Sequence, residues 1–164
     1  MNYYNMLLSL LLLASCQAPQ QQENKEEHNL VSLKPMSGIA LKRGAKYELP
    51  LVFEIKPGYH IMADTGLADN WVYTQVSIQS GKGYLTDAPQ FPAPENLFLQ
   101  DDTQPLSIFE DELEVKIPIL PSPQAEMGTY NLEGQLLYQA CTDQKCFFPR
   151  ALNFEVPIQM GDRP

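Results

Sequence analysis

The sequence predicts an all-β chain arranged as a two-sheet sandwich, and three observations carry that expectation. Fourteen prolines are spread through 164 residues. An interior proline removes a helical hydrogen bond and clashes with the turn before it, so no long amphipathic helix fits between them. Apolar and polar residues alternate with period two in several stretches. Turn signals separate those stretches: Lys56-Pro57-Gly58, Ser80-Gly81-Lys82-Gly83 and Pro121-Ser122-Pro123.

The chain opens differently. Met6 to Ala14 is an almost unbroken apolar run in a segment without charged side chains. It is shorter than the roughly 20 residues a permanent span requires, and it reads as a signal-peptide core. Leu13-Ala14-Ser15-Cys16 has the lipobox pattern of bacterial lipoproteins. Residues 1–15 are therefore expected to be removed and Cys16 to carry lipid, two or more acyl chains being enough for stable anchoring. Gln17 follows Cys16 where an acidic residue would mark inner-membrane retention, which favours the outer membrane. The next stretch, QAPQQQENKEEHN, completes a lipidated tether over 16–29. It is too polar to bury a core and spans roughly 20 Å as a flexible linker.

The remainder, 30–160, is expected to be one domain, with 161–164 as a tail. The net charge of -9 argues against nucleic acid, whose phosphates demand clustered cations. Strands are predicted near Leu30 to Leu33, Gly38 to Leu41, Tyr47 to Ile55 and Trp71 to Gln79, the last with Val72, Val76 and Ile78 inward. A further strand places Leu113, Val115, Ile117 and Ile119 on one face. Another does the same with Tyr130, Leu132, Leu136 and Tyr138, and a last with Leu152, Phe154, Val156 and Ile158. Seven or eight short strands suit a sandwich. Ala88 to Pro105 reads as a long proline-rich loop over one end of it.

Of three cysteines, lipid occupies one, leaving Cys141 and Cys146 in a compartment where disulfides form. Thr142-Asp143-Gln144-Lys145 reads as a hairpin loop, with Cys146-Phe147-Phe148 opening the next strand. Cross-strand neighbours lie within disulfide range, so the pair is expected to be bridged. So short a loop adds less stability than a long-range staple. An exposed hairpin disulfide is also the kind that exchanges with other thiols. On residues alone, a reactive and a structural bridge stand even.

Tyr138-Gln139-Ala140-Cys141-Thr142-Asp143-Gln144-Lys145-Cys146-Phe147-Phe148-Pro149 resembles the redox hairpin of the N-terminal periplasmic domain of the DsbD family, transmembrane disulfide reductases. Val52 to Ile61, Gln90 to Pro94 and Phe109 to Pro118 are similar to other segments of that domain. The resemblance implies an immunoglobulin-like sandwich and a thiol:disulfide oxidoreductase component without cofactor or metal. It implies that Cys146 forms the mixed disulfide, that Cys141 resolves it, and that Tyr138 and Phe147 shape their surroundings. Its implied partners are a membrane-embedded thiol reductase and periplasmic thioredoxin-like or disulfide isomerase proteins. Phe98 and Phe109 are candidates for the aromatic that shields the cysteines. The chain carries no polytopic segment and no Cys-x-x-Cys, so it is expected to depend on a separate reductase. In this hairpin Phe148 replaces the first of two usual prolines.

Two other readings are weighed. In one, the same sandwich is a binding module with an inert Cys141–Cys146 clip, using loop 63–70 or 92–105. In the other, Cys141, Cys146, His60 and Met62 hold Cu(I), as soft sulfur ligands would. No Gly-x-Ser-x-Gly or His-Glu-x-x-His motif is present.

Overall fold

The computed structural model describes residues 30–66, 71–79, 81–98 and 104–162. The expected signal peptide, the lipid site at Cys16 and the tether lie outside them. Among the described residues twelve strands run in chain order. They are β1 (Val31–Leu33), β2 (Ile39–Lys42), β3 (Tyr47–Ile55), β4 (His60–Met62), β5 (Gln75–Ile78) and β6 (Tyr84–Thr86). The second half holds β7 (Glu95–Leu97), β8 (Leu106–Glu110), β9 (Glu112–Pro121), β10 (Gly128–Tyr138), β11 (Ala140–Cys141) and β12 (Arg150–Gly161).

Two four-stranded sheets, β1-β3-β9-β6 and β2-β12-β10-β5, form the sandwich. All neighbours are antiparallel except β2, which runs parallel to β12. Period-two alternation decides which face is inside. Leu49, Leu51, Phe53 and Ile55 of β3 and Leu113, Val115, Ile117 and Ile119 of β9 are buried, while Glu48, Glu54, Glu112 and Glu114 face water. Leu132 and Leu136 of β10 and Phe154, Val156, Ile158 and Met160 of β12 join them in one core. The rings of Phe53 and Phe154 meet edge to face across it, centroids 5.6 Å apart. Gly134, opposite Phe154 in the β10–β12 register, leaves the room that ring fills. A Cβ there would lie 2.4 Å from Phe154 Cζ and 2.8 Å from the Ser77 carbonyl oxygen. Pro50 is tolerated within β3 because its partner Lys116 spends both backbone groups on Gln90, at 2.8 and 2.9 Å.

A third sheet, β11-β4-β8-β7, has no counterpart in the sequence pattern; Cys141 lies in it and Cys146 bridges to it. Its strands are two to five residues long, too short to display a period. Asp111, with φ 56°, lets the chain leave β8 and enter β9 in a different sheet. A short polar side chain tolerates that left-handed conformation better than most.

Three expectations are corrected. The strand expected over Trp71 to Gln79 is regular only as β5. Val72 precedes it, its N–H donating instead to the Gln139 side chain at 3.1 Å. The stretch from Ala88 to Pro105 is not wholly a loop: Gln90 bridges to Lys116, and β7 pairs with β8. Cys146 to Phe148 does not open a strand. Only Cys146 bridges back, and β12 begins at Arg150, because Tyr138 already pairs with Arg150 across the base of the excursion. Arg43 closes the other end with an ion pair to Asp162.

Candidate redox site

Between Tyr138 and Arg150, paired residues of β10 and β12, the chain leaves the second sheet and crosses to the third. There β11 pairs with β4, placing Ala140 opposite Ile61 and Cys141 opposite His60. The turn is held by its own backbone. The Phe147 N–H donates to Ala140 O at 2.9 Å and the Thr142 N–H to Lys145 O at 2.8 Å. Thr142 Oγ1 also accepts from the Gln144 and Lys145 N–H groups, both at 3.3 Å.

Cys141 and Cys146 are joined by a disulfide, their Cα atoms 4.0 Å apart. Their surroundings differ. Cys141 is 1% exposed, whereas Cys146 lies on the solvent side of the hairpin. The difference follows from pairing, since Cys141 sits in a sheet and Cys146 only bridges to it.

Phe147, next to Cys146, is half-buried and packs against the core cluster. Its ring centroid is 5.8 Å from that of Tyr59, with the Lys145 ammonium 4.6 Å over it. Lys56 covers Tyr59 at 5.7 Å, so cations flank both rings. Phe148, next along, is 87% exposed. Tyr138 is placed otherwise: it is buried in the sandwich core at the root of the hairpin. Burial pushes its phenol pKa up, with the Arg150 charge pulling it down. Of the two shielding candidates, Phe109 is buried in β8 and stacked on Phe91, centroids 6.1 Å apart, whereas Phe98 is exposed just past β7.

Two residues do more here than the sequence disclosed. Gln139 pins the hairpin, its Nε2 donating to Phe147 O at 3.2 Å while its Oε1 accepts from the Val72 N–H. Its place in the Tyr-Gln-Ala-Cys run was the available signal. His60, read from sequence only as a remote ligand candidate, is the residue directly across from Cys141. Burial pushes its imidazole below the ordinary 6.5, and the Asp143 carboxylate opposes this. Among the described residues no group of three or more His, Cys, Asp and Glu side chains is gathered as a metal site.

An all-β sandwich carrying a hairpin disulfide with one buried and one exposed cysteine defines the class of protein to which this chain compares. The family model described as Thiol:disulfide interchange protein DsbD, N-terminal, matches residues 30–157, and the chain belongs to that family. No curated protein matches the chain. Among solved structures, the reduced DsbD N-terminal domain of Neisseria meningitidis is 16% identical, covering 70% of this chain and 79% of that one, with a TM-score of 0.39. The complex of the DsbD N-terminal and PilB N-terminal domains from the same organism gives 15% identity, 83% and 88% coverage, and 0.47. The N-terminal periplasmic domain of ScsB from Proteus mirabilis gives 14%, 79% and 44%, and 0.42.

Proposed function

We propose that the chain is a thiol:disulfide exchange relay of the periplasmic cell envelope, with Cys146 as the cysteine that joins a partner and Cys141 as the one that releases it. The unequal exposure of the two sulfurs carries this reading: a bimolecular exchange needs one reachable sulfur, and the resolving thiol works from behind it. Reduced Cys146 attacks the partner's disulfide. Cys141 then attacks Cys146, which regenerates the intramolecular bridge and frees the partner as a dithiol. Electrons come from a membrane-embedded thiol reductase and go to thioredoxin-like or disulfide isomerase acceptors. Phe148 and the Phe147–Tyr59 pair would be the apolar ground on which those partners dock. Lipid on Cys16 and the tether at 16–29 would keep the domain near its membrane partners.

The test is a trap. The full chain with Cys141→Ser, expressed in the cell envelope, is expected to accumulate mixed disulfides through Cys146 with a membrane thiol reductase and with a periplasmic acceptor. If the oxidised wild-type chain resists physiological dithiols and no mixed disulfide forms, the bridge is a structural clip and the domain a binding module.

A further inference from the structure

The third sheet sets three residues in one row. β4 lies between β11 and β8, and His60 is opposite Cys141 on one side and Glu110 on the other. Directly opposed residues of antiparallel strands share a face, with Cβ atoms about 4.5–5.5 Å apart. That face is not the sandwich core. Ile61, Ala140 and Phe109, the intervening residues, belong to the core cluster. His60, Met62, Ile108 and Cys141 alternate away from it and are nonetheless buried. The thiol that must ionise to resolve a mixed disulfide is thus shut away from water with an imidazole as its cross-strand neighbour, His60 being 4% exposed.

We propose that His60 accepts the proton of the Cys141 thiol as Cys141 displaces a partner from Cys146, and delivers to Cys141 a proton taken from the attacking thiol when the bridge is reopened. The inference deepens the exchange reading above and rests on it. In the resolving step the Cys141 S–H proton passes to an imidazole nitrogen. The electron pair left on sulfur forms the Cys141–Cys146 bond. The bond between Cys146 and the partner breaks, its pair departing on the partner's sulfur as thiolate, and the imidazolium gives its proton to that thiolate. Two protein thiols are oxidised as one partner disulfide is reduced.

A buried thiol without a base is poorly ionised near neutrality, because burial raises its pKa above the usual 8.5 or so. Burial acts oppositely on the imidazole, keeping it neutral and able to accept a proton. The charged groups facing His60 are the Asp143 carboxylate in the hairpin loop and, across β8, the exposed Glu110. The Asp143 carboxylate stabilises the imidazolium as it forms.

The experiment follows the reduced full chain, carrying Cys16→Ser so that only two thiols react, with one equivalent of 4,4′-dithiodipyridine in a stopped-flow spectrophotometer. Attack by Cys146 releases one thiopyridone in a second-order phase; resolution by Cys141 releases another in a first-order phase. His60→Gln is expected to slow the second phase about tenfold or more at pH 7 and leave the first within about twofold. In the chain with His60 intact, the second phase is expected to level off by about pH 7, once the imidazole is neutral. A second phase that His60→Gln does not slow overturns the inference. So does a rate that keeps climbing about tenfold per pH unit into the thiol range with His60 intact, a result that needs no variant to fold. If the first phase is missing altogether, the exchange reading itself fails and this inference falls with it.

Discussion

The relay proposed above requires a domain that stays folded whether its bridge is closed or open, and the cost of opening the bridge follows from chain geometry. Cys141 and Cys146 are separated by 5 positions, so the bridge closes a loop of about six residues. The chain-entropy relation gives about 2 kcal/mol for a loop of that length, against about 4.7 for one of a hundred residues. The figure is an upper bound, because the Phe147–Ala140 and Thr142–Lys145 backbone bonds hold the same turn without the sulfurs. At about 2.1 cal/mol/K of unfolding entropy per residue, a domain of this size loses roughly 4 °C of Tm per kcal/mol. The reduced chain, or the Cys141→Ser, Cys146→Ser double variant, should therefore keep one cooperative transition with Tm lowered by no more than about 8 °C. Differential scanning calorimetry with and without reductant measures this, and near-UV circular dichroism checks that the core is unchanged. A drop of 20 °C or more, or loss of the cooperative transition, would refute the reasoning and make the bridge a structural staple.

Three further outcomes are expected. Gly134→Ala forces Phe154 away from Phe53 and presses on the β5 backbone, and should destabilise by about 1–3 kcal/mol in urea unfolding; a neutral or stabilising effect would contradict the packing. In the reduced, folded protein, iodoacetamide should alkylate Cys146 at least about tenfold faster than Cys141, read by peptide mass spectrometry, since only Cys146 is reachable and exposure governs thiol reactivity; equal rates would remove the distinction between attacking and resolving sulfur. His60 has a lowered folded pKa, so the unfolded chain binds the proton more readily. Its contribution is complete above the unfolded value near 6.5 and is lost as pH falls through that value towards the folded one, and His60→Gln should flatten this trend in denaturation series from pH 8 to 5. Parallel curves for variant and wild type would count against a buried neutral imidazole.

The long strands were readable because their information is local. In β3, β9, β10 and β12 every second residue is apolar, and one buried face suffices to specify both strand and orientation. β4, β6, β7 and β11 span two or three residues, a length at which alternation carries no signal. They exist because neighbours from distant parts of the chain supply their hydrogen bonds. Gly134 shows the same limit: the reason for a glycine in mid-strand is the Phe154 ring beside it, on a different strand.

By itself the sequence determined the β class, the inward faces of the sandwich, the pairing of Cys141 with Cys146 and, through the hairpin motif, the family. Each rests on residues close together in the chain or on a cysteine count. Tertiary structure alone decided that the hairpin docks on a third sheet, that Cys141 is buried while Cys146 faces water, and that His60 stands opposite Cys141. These depend on register between strands far apart in sequence. A shift of one residue in the β4–β11 pairing would turn His60 to the other face, and nothing local to either strand records which register is adopted.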